Sequence, residues 1–177
     1  MIHLANTPVL ETARLILRAP TAADWRPCHA FMVSPRSAFI RDNKVLEYGQ
    51  IWRAFCHVVG MWVARGYGSF VVTAKGSDDA IGLVGPWNPI DWPEAEIGWT
   101  LWSEAHEGKG YASEAAQAAV AHVFRDLRWA SAVSYIAPDN ARSIALAERL
   151  GAVLDADAAT PGTEPCLAYR HPAPVAA

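Results

Sequence analysis

One stretch constrains this chain more than any other. An alternating apolar run at Ala95–Trp102 is followed by Gly108-Lys109-Gly110 and then by a helix-forming run that opens at Tyr111. Two glycines around one residue let the backbone bend sharply and come close to a ligand. The next segment carries one apolar stripe through Ala112, Ala115, Ala116, Ala119, Val120, Val123, Phe124 and Leu127, which predicts a helix from about Tyr111 to Arg128. The first N–H groups of a helix have no internal partners, and the helix dipole adds positive potential at that end. Strand, glycine turn and helix start together make a pyrophosphate site that needs no basic side chain.

Two familiar phosphate motifs fit poorly. A P-loop needs Gly-Lys followed by Ser or Thr, and here Lys109 is followed by Gly110. A dinucleotide fingerprint needs a third Gly or Ala at position 113, where this chain has Ser113, and an acidic residue closing a later strand. Asp126 falls inside the predicted helix instead, so a dinucleotide site is the weaker reading.

The surrounding pattern predicts a mixed α/β domain. Leu15-Ile16-Leu17-Arg18 reads as a strand, and Thr21 to Asp24 as a capping-box-like helix start, with Pro35 stopping that helix near Ser34. Tyr48, Ile51, Trp52, Phe55, Val59 and Trp62 recur at helical spacing, which predicts a second helix from about Lys44 to Arg65 that stops at Gly66. The period then changes. Ser69–Ala74 and Ala80–Gly85 read as a hairpin, Pro86–Pro93 as a loop, and Ala95–Trp102 as a strand with Glu96, Gly98 and Thr100 on one side and Ile97, Trp99 and Leu101 on the other. A strand at Ala132–Ile136, a helix at Ala141–Leu150 ended by Gly151, and two strands near Val153–Asp157 and Cys166–Arg170 complete the order β-α-α-β-β-β-α-β-α-β-β.

Composition excludes several classes. The 177 residues are 52% apolar and 19% charged, which suits a folded chain, and no internal repeat or linker divides them, so residues 1–177 are expected to form one domain with its core at about 10–170. No apolar run is long enough to cross a membrane, and no signal peptide opens the chain. A net charge of −3 gives no electrostatic reason to expect nucleic acid. Cys28, Cys56 and Cys166 lack metal-binding spacing and read as reduced, mostly buried thiols of a cytoplasmic protein with no metal.

Four segments in order resemble the GNAT superfamily of N-acetyltransferases. Glu96-Ile97-Gly98-Trp99 and Gly108-Lys109-Gly110-Tyr111-Ala112-Ser113-Glu114-Ala115 look like its central strand and coenzyme A loop, although Ala105 stands where the loop usually opens on Gln or Arg. Asn140-Ala141-Arg142-Ser143 with Leu150-Gly151-Ala152 resembles the second coenzyme segment. Leu10-Glu11-Thr12-Ala13-Arg14-Leu15-Ile16-Leu17-Arg18 is similar to the opening strand of the branch that includes ribosomal-protein-alanine N-acetyltransferases. The resemblance implies a GNAT-like fold with a mostly antiparallel central sheet flanked by helices. It also implies acetyl-CoA as donor and a primary amine as acceptor, either a small molecule or a protein N-terminus. Leu101 and Trp102 would then offer backbone groups to the pantetheine arm, Gly108, Lys109, Gly110, Tyr111 and Ala112 would hold the pyrophosphate, and Asn140, Arg142 and Ser143 would complete the donor site. Asn140 reads equally well as a helix N-cap. The expected assembly is a monomer or homodimer.

The implied reaction is direct attack of a neutral amine on a thioester. Neutralising a lysine-like amine with pKa ~10.4 at neutral pH costs roughly 4.6 kcal/mol, against about 1 kcal/mol for an α-amine near ~7.7. A base therefore matters for the first and is nearly dispensable for the second, and Glu96 is the candidate. Many family members carry a tyrosine as general acid seven residues after the asparagine, and that position is Ala147 here, which leaves Tyr135, Ser134 or water. Six of the eight tryptophans fall between residues 52 and 102, and Trp52, Trp87, Trp92 and Trp99 are candidate walls of an acceptor pocket. The missing acid also admits a non-catalytic acetyl-CoA-binding module on the same fold.

Overall fold

The change of apolar period at Gly66 marks where helix gives way to sheet, as the spacing predicts. The structure, a computed structural model, describes residues 4–41, 43–162 and 164–173. Its strands are β1 (Leu10–Glu11), β2 (Leu15–Arg18), β3 (Phe70–Ala74), β4 (Ala80–Trp87), β5 (Glu96–Leu101), β6 (Val133–Ile136), β7 (Val153–Leu154) and β8 (Leu167–Arg170). They form one sheet in the order β1-β2-β3-β4-β5-β6-β8-β7. Every pairing is antiparallel except β5 with β6.

Four helices accompany the sheet: α1 (Trp25–Met32), α2 (Tyr48–Arg65), α3 (Tyr111–Arg125) and α4 (Ala141–Arg149). Arg18 and Thr21 both bind the buried carboxylate of Asp24, which anchors the turn leading into α1. The helix ends at Met32, and Pro35 then opens a short 3-10 turn to Ile40. α2 starts at Tyr48 rather than Lys44, because Glu47 and Gln50 form a reciprocal capping box there. Gly66 ends it in the left-handed conformation, with φ of 75°.

The core lies between α3 and one face of β2–β5. Leu15, Leu17, Phe70, Val72, Val84 and Ile97 meet Ala115, Ala116, Ala119 and Val123, all fully buried. Alanines on that stripe let the helix axis lie close to the strands. A second cluster gathers Ile136, Ala147, Ala152 and Tyr169 under α4.

Other expectations need correction. β4 continues through Pro86 and Trp87, which pair with Ile97 and Glu96, so the expected loop starts later. α3 ends at Arg125, and Arg128 turns into the left-handed region with φ of 58°. β7 stops at Leu154, because the Asp155 side chain accepts from Arg170 Nε and from the Asp157 backbone, closing a turn. Of the residues that set the α2 spacing, Tyr48 and Trp52 stand 63% and 47% exposed, while Ile51, Phe55 and Trp62 are buried. The three cysteines are free but none is fully buried, and Cys56 is exposed.

Candidate active site

The site begins with an unfinished strand pair. β5 pairs with β4 along its whole length, yet meets its parallel neighbour β6 only at Glu96–Val133. Beside that rung, Val133 N donates to Ala95 O at 3.0 Å, and the Ser134 hydroxyl donates to Ile97 O at 2.6 Å. Beyond it the strands part, so the β6-facing edge of β5 toward Leu101 has no strand partner. Trp99, Thr100 and Leu101 there line a cavity of about 1410 Å³. That exceeds the usual ~300–1,000 Å³ of small-ligand pockets and suits an extended ligand.

The glycine turn closes one side of this cavity. Gly108 and Gly110 take φ of 70° and 79°, left-handed values that strain any residue with a side chain. Gly108, Gly110, Tyr111, Ala112 and Ser113 all line the cavity, so the start of α3 faces it. Lys109 is held differently: its carbonyl accepts from Arg14 Nη1 at 2.8 Å. Across the cavity stand Asn140, Arg142 and Ser143 at the start of α4. Asn140 Oδ1 accepts from Ser143 N at 3.2 Å, so it is the helix N-cap, and it lines the cavity as well. Of the two strand positions expected to serve the ligand, Leu101 lines the cavity, whereas the Trp102 N–H is taken by Ile81 O at 2.9 Å.

Charge around the cavity favours an anion. Arg14, Arg36, Arg142 and Arg149 line it against Glu104, Glu107 and Glu114. Arg36 donates to Leu101 O at 3.1 Å and to Glu107 at 2.6 Å, and Arg142 meets the other oxygen of Glu107 at 2.8 Å. Arg36 Nε and His106 Nδ1 are buried with no partner, and both residues line the same cavity. A ligand rich in acceptors and phosphate oxygens fits such a wall. Arg14, Arg36 and Glu107 were not foreseen; Arg14 lay in a recognised segment, but nothing in its spacing tied it to a loop about 95 residues away.

Glu96 stands at the closed end of the splay. Trp92 Nε1 donates to its Oε2 at 2.7 Å, and Trp87 faces it across the β4–β5 ladder. Burial pushes this carboxyl up to about 7, against the lowering pull of the Trp92 N–H and the Tyr135 backbone. The candidate acceptor walls separate. Trp87 and Trp92 flank Glu96, and Trp87 meets His57 of α2 at 4.8 Å. Trp99 points to the other face of the sheet, donates to Ser143 Oγ at 3.2 Å and lines the large cavity. Trp52 packs edge-on against Trp25 at 4.9 Å, on the solvent side of α2.

A family model for the acetyltransferase (GNAT) domain matches residues 14–153. The chain belongs to the GNAT acetyltransferase family. It is 36% identical to an acetyltransferase from Agrobacterium tumefaciens str. C58, covering 97% of this chain and 98% of that one, with a TM-score of 0.86. It is 31% identical to a protein described as a GnaT-family acetyltransferase from Bordetella pertussis, covering 93% and 99%, with a TM-score of 0.77. The RimL ribosomal alpha-N-protein acetyltransferase in complex with coenzyme A shares the fold at 20% identity, with 93% and 97% covered and a TM-score of 0.69. GNAT enzymes use acetyl-CoA as donor, and in this chain the open edge of β5 and the glycine turn both border the large cavity.

The GNAT tyrosine position, Ala147, is fully buried in the second core cluster. The alternative acids are committed elsewhere. Tyr135 donates its hydroxyl to Ala159 O at 3.1 Å, and burial with nearby carboxylates pushes its pKa to about 12. The Ser134 proton points to Ile97 O, with His171 Nε2 behind it at 2.8 Å. No helix among the described residues is long and apolar enough to cross a membrane, and none of their His, Cys, Asp and Glu side chains group as a metal site.

Proposed function

We propose that this protein transfers the acetyl group of acetyl-CoA to a primary amine by direct attack of the neutral amine on the thioester carbonyl, with Glu96 as base. The observation that carries the reading is the splay: one strand, β5, has its open edge on the donor cavity and Glu96 at the vertex. The attacking nitrogen loses its proton to the Glu96 carboxylate, directly or through water, and the electron pair of the C–S bond leaves with coenzyme A as thiolate. A base poised near neutrality suits that transfer. The thiolate is a tolerable leaving group, so no side-chain acid is required.

The acceptor is a small-molecule amine or a protein N-terminus. Glu94, one of the few carboxylates of this region, is held by both terminal nitrogens of Arg170 at 2.8 and 2.9 Å, which removes one anchor for a polycationic acceptor. The chain is read as a cytoplasmic single-domain monomer or homodimer.

Release of free thiol from acetyl-CoA across a panel of amines tests the reaction. Donor binding without thiol release for any amine would instead favour the second reading, a non-catalytic acetyl-CoA-binding module, which Ala147 in place of the tyrosine supports. Failure to bind acetyl-CoA would defeat both.

A further inference from the structure

Glu114 presents an electrostatic problem. It sits in the first turn of α3, whose N-terminus faces the donor cavity, and it lines that cavity itself. A carboxylate there competes with any phosphate for the positive end of the helix. The structure answers this with residues from the other end of the chain. Glu114 Oε1 accepts from the Thr12 hydroxyl at 2.6 Å and from Arg14 N at 2.8 Å, and Oε2 accepts from Arg14 Nε at 2.7 Å. Arg14 Nη2 lies 2.7 Å from the same oxygen. The guanidinium reaches further, donating Nη1 to the Lys109 carbonyl and lying over the Tyr111 ring at 4.8 Å. A methyl group added at Gly110 would sit 3.3 Å from Arg14 Nη2, so the turn is moulded against this side chain.

We infer that Arg14 is a positioning residue for the donor: it cancels the Glu114 charge at the mouth of the helix and sets the shape of the glycine turn, so that the start of α3 accepts an anionic pyrophosphate. The inference rests on the reading of this cavity as the coenzyme A site. Two physical effects combine. Neutralised, Glu114 still ties α3 to the β1–β2 turn without repelling phosphate. With the Lys109 carbonyl turned to Arg14, planarity of the trans peptide orients the Gly110 N–H the opposite way. The second half of the Leu10–Arg18 segment, Leu15 and Leu17, serves the core, so Thr12 and Arg14 are the part of it left over for the donor.

A purely mechanical clasp and a charge-cancelling one predict opposite outcomes, which calorimetric titration of the full chain with coenzyme A separates. Arg14→Ala should weaken binding by about tenfold at low salt, the scale of one poorly screened charge at a helix end. Glu114→Gln should bind at least as tightly as the wild type, because the repelling carboxylate is gone while Arg14 stays. The double variant Arg14→Ala/Glu114→Gln should return to within about threefold of the wild type, and the differences should shrink at high salt. Unchanged affinity in Arg14→Ala would overturn the proposal. So would weakened binding in both Glu114→Gln and the double variant, which is the signature of a tie that only holds the fold. If Arg14→Ala does not fold, the other two variants decide by the same criteria. Wild-type protein that does not bind coenzyme A would defeat the donor reading itself.

Discussion

The indole N–H of Trp92 donates to Glu96 at 2.7 Å and supplies the polar contact that lets a carboxylate persist where burial favours its protonated form. Activity should therefore fall as pH drops through about 7, where Glu96 takes up its proton. Trp92→Phe removes a contact that lowers the pKa, so the midpoint of the acid limb in kcat/KM should move to higher pH. Glu96→Gln should lower turnover of a lysine-like amine by about 10²-fold or more, and that of an α-amine by much less. Equal losses for both acceptors would reject Glu96 as the base.

The same carboxyl makes a stability prediction of opposite sense. Its folded pKa is raised above the unfolded value of 4.5, so its contribution is fully present below about 4.5 and is lost as pH rises through about 7. Glu96→Gln, which keeps an acceptor for Trp92, should thus melt higher than the wild type at pH 8. The gap should close toward pH 5, as read by thermal unfolding at the two values.

Asn140 holds two positions at once, and two substitutions pull them apart. Asn140→Ala loses the cap on Ser143 N and should cost about 1 kcal/mol of stability together with donor affinity. Asn140→Ser retains a capping hydroxyl and should melt near the wild type. Its coenzyme A affinity then reports the amide alone. An unchanged affinity would leave Asn140 as a cap only.

Gly82 is required by the closeness of two strands. A β-carbon there would run into the carbonyl oxygen of Thr100 and crowd Leu101 in the paired strand β5. Gly82→Ala should destabilise the fold by about 3 kcal/mol or more. Gly108→Ala meets no atom and carries only left-handed backbone strain, about 1–2 kcal/mol. Chemical denaturation of the pair checks the order.

Restoring the tyrosine is predicted to fail. Ala147 is fully enclosed beside Ile136, Ala152 and Tyr169 and, unlike Ser143 and Leu146, does not line the cavity. Ala147→Tyr should overpack that cluster and lower the melting temperature by several degrees with no gain in kcat. Faster thiol release from a stable variant would show that the position reaches the leaving group after all.

Much of this was readable in the residues. Apolar periods located α2, α3 and most of the strands, and capping, proline and glycine signals bounded α1 and α4, whereas β7 lies exposed and buries no face. Gly108 and Gly110 marked the sharp turn into α3, and both take left-handed φ there. The rest depended on contacts distant in sequence. Trp99 and Trp87 look equivalent in composition, and only the alternation along β5 and the β4 register send them to opposite faces. The two-residue β1 is too short to carry a period. Arg14 on Glu114 and Arg36 on Glu107 join segments about 100 and 71 residues apart, which no local pattern records.

The lone rung between β5 and β6 divides the sheet into a panel of five strands and a panel of three. Along most of that seam no backbone ladder welds the halves, and cohesion falls to helices and side chains. A ligand seated in the gap acts as mortar, adding its binding free energy to the resistance of the whole domain to opening. Durability of the protein would then track the concentration of whatever fills the gap, so that emptying it would register first as a more fragile fold.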